Sequence, residues 1–163
     1  MMLSEELYPQ RVFYYFEQIA AIPHGSRNTK AISDYLVDFA KEHNLVWYQD
    51  ENNNVVIVKE ASAGYEAAEP IIIQGHMDMV CEKEKGVDID FEKDGLKLYI
   101  DGDFLKAEGT TLGGDDGIAV AYALALLDSQ EIAHPKLEVV ITVDEEIGML
   151  GADAIDLSML TGH

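Results

Sequence analysis

The sequence is poor in several residue types, and each shortage excludes a class of protein. Its single cysteine, Cys81, rules out an intramolecular disulfide and is typical of a protein from a reducing compartment. We interpret Cys81 as a packed small residue, not as a nucleophile or a metal ligand. The chain is therefore not a disulfide-stabilised scaffold.

Basic residues are also scarce, with 11 lysines and arginines against 31 aspartates and glutamates and a net charge of -20. Such a chain repels phosphate backbones and anionic lipids, so we expect neither nucleic acid nor a membrane surface as a partner. No apolar run approaches the ~20 residues that span a bilayer, and Met1–Glu6 lacks the pattern of a signal peptide. The expected location is the cytoplasm.

Several well-known catalytic motifs are missing. The sequence has no Gly-x-Ser-x-Gly, no His-Glu-x-x-His, no phosphate-binding Gly-Lys-[Ser/Thr] and no Gly-x-Gly-x-x-Gly. The acidic run from Asp88 to Gly95 resembles a calcium loop, but its glycine is misplaced for an EF-hand. Serine hydrolases, zincins, P-loop enzymes and dinucleotide-binding enzymes are thus not indicated.

What is present is enough apolar sequence, 48%, for the core of one domain. Apolar spacing predicts helices over residues 7–21, 29–43 and 118–127, with Ser26 and Asn28 available to cap the second helix. Alternating or continuous apolar runs predict strands over residues 46–49, 55–58, 71–73, 97–100, 104–107 and 137–143. This order of elements indicates an α/β or mixed-layer fold, in which the apolar third helix is buried on both sides.

Acidic and histidine side chains follow or precede the most apolar of these elements. His76 and Asp78 come directly after one strand, Glu145 and Glu146 follow another, and Asp115 precedes the third helix. Ligands of open α/β sheets gather beyond the carboxyl ends of the strands. We therefore expect the three segments to converge on one rim of the sheet.

The chemistry of these side chains fits a two-metal hydrolase. His76 offers a ring nitrogen to a cation such as Zn²⁺, while Asp78 can hold the other ring nitrogen. Asp115 can bridge two cations, and of Glu145 and Glu146 one can bind metal while the other serves as general base. A water between two cations then attacks a carbonyl. Each cluster taken alone would be read as helix capping or as a solvated acidic surface. Their joint placement favours a metal site.

The other histidines are interpreted as surface residues: His24, His43, His134 and His163.

At these residues the chain resembles the M20 family of di-zinc metallopeptidases. The resemblance is carried, in order, by Gly75-His76-Met77-Asp78, by Gly113-Gly114-Asp115-Asp116-Gly117 and by Asp144-Glu145-Glu146-Ile147-Gly148. Within the family, these motif sequences are most similar to those of the aminoacyl-histidine (Xaa-His) dipeptidases. The segment Ile22–Asn28 is also typical of these dipeptidases. The resemblance covers essentially the whole chain.

The resemblance implies a zinc-exopeptidase-like catalytic domain, a three-layer α/β fold with an open mixed sheet and helices on both faces. His76 would bind one Zn²⁺, Asp115 would bridge two, and Glu146 would bind the second; Co²⁺ or Mn²⁺ are alternatives. Glu145 would be the general base and Asp78 the partner of His76. The implied reaction is hydrolysis of the peptide bond of a small peptide, an Xaa-His dipeptide, by a metal-bridged water. A cis peptide between Asp115 and Asp116 is also implied.

The family uses a further acidic ligand and a further histidine, as well as a lid or dimerisation domain, at positions beyond residue 163. Residues 1–163 are therefore interpreted as the amino-terminal part of the catalytic domain, and alone they should bind zinc weakly and hydrolyse little. The resemblance implies that the longer protein forms a homodimer. Three alternatives stay open: another M20 hydrolase (a tripeptide aminopeptidase or an amino-acid deacylase), a non-catalytic binding or oligomerisation module, or acids that only solubilise the fold.

Overall fold

The computed structural model describes residues 3–162, which form a mixed sheet packed against helices. The helices are α1 (Gln10–Ala20), α2 (Lys30–Glu42), α3 (Gly114–Asp128) and the short α4 (Leu150–Ala154), preceded by a 3₁₀ turn at Leu3–Glu6. The strands are β1 (Val46–Gln49), β2 (Val55–Lys59), β3 (Ile71–His76), β4 (Leu98–Asp101), β5 (Phe104–Ala107) and β6 (Leu137–Thr142). The predicted mixed α/β fold is confirmed.

The main sheet has the strand order β1-β2-β6-β3, and β4 and β5 form a separate hairpin. β2 runs antiparallel to both β1 and β6, whereas β3 runs parallel to β6. The parallel register places His76, the last residue of β3, opposite Thr142, the last residue of β6. Two chain segments therefore leave the sheet side by side at the same edge.

The core lies between one face of the sheet and the three longer helices. In α1 the buried residues Val12, Tyr15, Phe16, Ile19 and Ala20 recur every three or four positions, the spacing of one helix face. They join side chains of α2, α3, β2 and β6 in one apolar cluster. Because this single cluster contains all three helices, they share one face of the sheet in residues 3–162, whereas the resemblance implies helices on both faces of the complete domain.

The opposite face is in contact with the chain that follows β6. Glu138 points away from the core side of β6, since side chains alternate along a strand. Its carboxylate accepts hydrogen bonds from the backbone amides of Thr161 and Gly162, each at 2.8 Å for the nearer oxygen. The segment after α4 is thereby fixed against the sheet. Among residues 3–162 no helix has both the length and the apolar character needed to cross a membrane.

Several details differ from the sequence-based expectations. Neither Ser26 nor Asn28 caps α2, whose N-cap position is Thr29 without a side-chain hydrogen bond. His24 and His134 are buried rather than on the surface, each with its Nδ1 hydrogen-bonded to a nearby carbonyl; His163 lies outside the described residues. α3 is buried on one side only, because Tyr122 on its outer side is 48% exposed.

Candidate metal centre

The carboxyl ends of β3 and β6 carry most of the candidate site. His76 ends β3 and Asp78 follows two residues later, while Glu145 and Glu146 lie in the turn after β6. Asp115 enters from the start of α3, which packs against β3. The expected convergence of three distant segments is therefore present in the fold.

The ring of His76 is held by groups on both of its nitrogens. Nδ1 lies 3.0 Å from the backbone oxygen of Asp78 and 3.3 Å from its Oδ1. Nε2 lies 3.1 Å from Asp115 Oδ1 and 3.8 Å from Glu145 Oε2. Both ring nitrogens therefore face acceptors, Nδ1 toward Asp78 and Nε2 toward the other acidic groups of the site.

The acidic surroundings change the protonation of His76. Burial alone would lower its pKa, but the hydrogen bonds to Asp78 and Asp115 outweigh burial and raise the pKa to about 9. At neutral pH the ring is then an imidazolium when no cation is bound. A metal at Nε2 has to compete with that proton.

Asp115 and Asp116 have opposite orientations at the start of α3. Their backbone angles are not helical, and the peptide bond between them is cis. The Asp115 side chain is 86% exposed and reaches His76 from outside. Asp116 turns inward, where its Oδ2 accepts a hydrogen bond from the His76 amide at 3.4 Å and burial raises its pKa. Gly75 permits this approach, since a Cβ there would lie 2.8 Å from Asp116 Oδ2.

Glu145 and Glu146 are presented by a turn that begins with a left-handed residue, Asp144 (φ 55°). The Glu145 amide donates a hydrogen bond to Asp78 Oδ1 at 3.1 Å, which fixes the turn to the segment after β3. The pKa of Glu146 is raised by burial and by the nearby negative charge of Asp115. Glu145 therefore anchors the turn through its backbone, while Glu146 directs its carboxylate toward Asp115.

One ligand atom each from His76, Asp115 and Glu146 can be chosen so that all three lie within 4.8 Å of one another. Zn²⁺ binds both imidazole nitrogens and carboxylate oxygens, and catalytic zinc sites combine three protein ligands with a fourth position for water or substrate. Asp78 and Glu145 border this cluster without belonging to it. The three proposed ligands thus occur together, and the two proposed catalytic residues flank them.

Sequence reasoning missed one residue at the site, Ser26. Its Oγ donates a hydrogen bond to Asp78 Oδ2 at 2.7 Å, although the sequence indicated a helix cap. The only signal was its place in the Ile22–Asn28 segment that the resemblance included. That signal did not specify what the hydroxyl contacts.

Comparisons with known proteins agree on one family. Residues 72–159 match the group described as "Peptidase family M20/M25/M40". Over 147 residues the chain is 43% identical to a protein named cytosol non-specific dipeptidase from Escherichia coli (strain K12), an alignment that covers 90% of this chain and 30% of the dipeptidase.

Two solved structures resemble the chain along nearly its whole length. Aminoacylhistidine dipeptidase from Vibrio alginolyticus superposes with a TM-score of 0.94 at 40% identity, covering 98% of this chain and 32% of that chain. A tripeptidase from Staphylococcus aureus subsp. aureus Mu50 superposes with a TM-score of 0.76 at 24% identity, over 94% of this chain and 41% of the other, and shows the shared fold alone. The chain spans about a third of the length of the two dipeptidases.

Proposed function

Because the chain belongs to peptidase family M20/M25/M40, we propose that it is the amino-terminal, metal-binding part of the catalytic domain of a dipeptidase. Residues 1–163 would act within a longer polypeptide, since both matched dipeptidases are about three times as long. The proposed substrates are unblocked dipeptides, with histidine favoured at the carboxyl side. Cytoplasmic location belongs to the same proposal and is supported by the name of the E. coli relative.

The observation that carries this proposal is the cluster of His76, Asp115 and Glu146 within 4.8 Å. These residues fit a metal of the zinc type, because one nitrogen and two oxygens are ligands that Zn²⁺ accepts. We assign His76 to one Zn²⁺, Glu146 to a second, and Asp115 to both, with Co²⁺ or Mn²⁺ as alternatives. Each ion would then have two ligands from this chain, so further ligands from the longer polypeptide are part of the proposal.

When bound, the metal supplies a water of lowered pKa and polarises the carbonyl of the scissile bond. The residues of the chain provide orientation and proton transfer. Asp78, whose side chain is completely buried, holds Nδ1–H of His76 and so keeps Nε2 directed at the cluster. Glu145 lies beside the cluster with its carboxylate partly exposed, where it can accept a proton from water and pass it to the departing amine.

Calorimetric titration of the chain with Zn²⁺ tests the metal centre. We expect weak binding that Asp115→Asn or Glu146→Gln reduces by at least about tenfold, because each removes a charged ligand. Asp153→Asn, which changes an exposed aspartate in α4, is the matched control and should bind as the unchanged chain does. If the unchanged chain and the three variants bound Zn²⁺ with equal affinity, Asp115 and Glu146 would not be metal ligands. These acidic residues would then serve only the solubility of the fold.

Hydrolysis requires a second experiment. The chain alone should cleave dipeptides slowly at most, whereas a chimera with the remaining residues of the E. coli dipeptidase should cleave Xaa-His dipeptides in preference to tripeptides and N-acyl amino acids. Glu145→Ala in that chimera should abolish turnover and leave the metal content near normal. Retained turnover would show that Glu145 is not the base, and a chimera that binds metal without any turnover would favour the non-catalytic module.

A further inference from the structure

The segment His24–Asn28, between α1 and α2, contacts two parts of the candidate site: the chain after β3 and the turn after β6. Gly25 pairs with Met79 in a parallel bridge, and the Met79 amide donates to the His24 carbonyl at 3.1 Å. The Arg27 amide donates to Asp144 Oδ1 at 2.6 Å. The segment therefore joins the chain after β3 to the turn after β6.

Ser26 links this segment to Asp78 through a side-chain hydrogen bond. Its Oγ donates to Asp78 Oδ2 at 2.7 Å. The other oxygen of the same carboxylate, Oδ1, accepts from the Glu145 amide at 3.1 Å and lies 3.3 Å from Nδ1 of His76. The Asp78 carboxylate is completely buried. Its Oδ2 accepts a hydrogen bond from Ser26, while its Oδ1 contacts both Glu145 and His76.

The close approach that allows this contact is built into the backbone. A Cβ at position 25 would lie 2.6 Å from Cys81 Sγ, so a glycine there lets the segment lie against the chain after β3. Ser26 is also not used by the helix that follows, because α2 begins four residues later and no side chain caps it. Among residues 3–162, the Ser26 hydroxyl hydrogen-bonds only to Asp78.

We propose that Ser26 is a positioning residue whose hydroxyl fixes the plane of the Asp78 carboxylate. The χ2 torsion of aspartate is broad, so a carboxylate held at one oxygen only can rotate. With Oδ2 held by Ser26, Oδ1 stays directed at the Glu145 amide and at Nδ1 of His76. Through Asp78, one hydroxyl then orients both the proposed base and a proposed metal ligand. The inference rests on the proposed function for its effect on metal binding, but not for its effect on the Glu145 amide.

The test compares Ser26→Ala with Ser26→Thr, which keeps the hydroxyl, in the 163-residue chain. Ser62→Ala is the matched control, because Ser62 Oγ donates to the His134 carbonyl in loops that contact neither Asp78 nor Glu145. Ser26→Cys, a near-isosteric change to a weak donor, is used if the alanine variant does not fold. The first readout is hydrogen exchange of the Glu145 amide in the metal-free chain. We expect exchange about fivefold faster in Ser26→Ala, the factor for loss of one ordinary hydrogen bond, with recovery in Ser26→Thr and no change in Ser62→Ala.

The second readout is a titration with Co²⁺ followed by its visible absorption. Ser26→Ala should bind Co²⁺ about tenfold more weakly, with an altered spectrum, and Ser26→Thr should restore both. Unchanged Glu145 exchange in Ser26→Ala overturns the inference, and so does Co²⁺ binding equal to that of the unchanged chain. If the unchanged chain does not bind Co²⁺, the proposed metal centre fails, while the Glu145 exchange still decides the role of Ser26.

Discussion

Glu138 is a completely buried carboxylate near the start of β6, on the side of the sheet away from α1 to α3. It accepts hydrogen bonds from the Thr161 amide and hydroxyl and from the Gly162 amide, and Lys136 Nζ lies 2.8 Å from its Oε1. A buried charge is tolerated only when it is paired and hydrogen-bonded in this way. Glu138 therefore holds the end of the described chain against the sheet.

Glu138→Gln should lower the free energy of unfolding by about 2–4 kcal/mol, because the amide replaces a charged acceptor with a donor that faces Lys136 and two backbone amides. Urea denaturation followed by circular dichroism measures the change. Glu60→Gln, at an exposed position, is the control and should stay within about 0.5 kcal/mol of the unchanged chain. Equal stability of the two variants would contradict the role given to Glu138.

The same residue predicts a dependence of stability on pH. Although burial favours the neutral acid, the bonds from Lys136, Thr161 and Gly162 dominate and lower the pKa of Glu138 from its ordinary 4.5 to about 2. A lowered pKa in the folded state stabilises the fold at pH above the unfolded value, and this stabilisation is lost as pH falls from about 4.5 toward 2. The unchanged chain should lose more stability between pH 5 and pH 3 than Glu138→Gln does. Parallel losses in urea titrations at the two pH values would refute the assignment.

At the scale of elements, the residue pattern predicted the three longer helices and the strands, but not the two shortest helical segments. The spacing of apolar residues in α1 and α2 and the β-branched run of β6 predicted these elements to within a few residues. The 3₁₀ turn and α4 have four and five residues, too few to show a helical period, and were not predicted.

The same limit applies to the candidate site. His76, Asp115 and Glu146 could be brought together from sequence because each lies at the end of an apolar element, and such ends meet at one edge of a sheet. Ser26 could not, because a serine shortly before a helix is as consistent with a cap as with any other contact. The backbone path of the Ile22–Asn28 segment decides between them, and that path depends on tertiary contacts to Met79 and Asp144.

Gly151 in α4 lies in close contact with the segments beside the candidate site. A Cβ on Gly151 would lie 2.4 Å from the Val143 carbonyl oxygen and 2.5 Å from Asn54 Oδ1. Asn54 itself accepts from the Val143 amide at 3.0 Å and donates to the Gly151 carbonyl at 3.1 Å, so none of the three can withdraw without losing a hydrogen bond.

Gly151→Ala should therefore destabilise the chain by about 2–3 kcal/mol, the cost typical of overpacking. It should also weaken Zn²⁺ binding, because Val143 immediately precedes the turn that carries Glu145 and Glu146. Gly114→Ala is the control for stability, since its Cβ would meet only Leu112, at 3.8 Å. Thermal melts of both variants measure the effect, and a Gly151→Ala melt that matches the Gly114→Ala melt would argue against the close packing.

For the whole molecule, the dominant property is a net charge of -20 on 163 residues. Part of this charge is concentrated at the candidate site, where Asp78, Asp115, Glu145 and Glu146 surround a single histidine. Folding brings the acidic side chains closer together than they are in the unfolded chain, so mutual repulsion opposes folding. Exposed ion pairs such as Lys41–Asp38 offset little of it.

Salt should therefore stabilise this chain. Raising NaCl from about 0.01 M to about 0.15 M shortens the Debye length from about 30 Å to about 8 Å and screens long-range repulsion more than short ion pairs. We expect the melting temperature at pH 7 to rise by roughly 2–4 °C, the shift that ~1 kcal/mol produces in a domain of this size. EDTA keeps divalent cations from contributing. The rise should shrink near pH 5, where carboxylates begin to bind protons and the net charge falls. A melting temperature that decreases with salt at pH 7 would mean that attractive ion pairs, not repulsion, dominate the electrostatics of the fold.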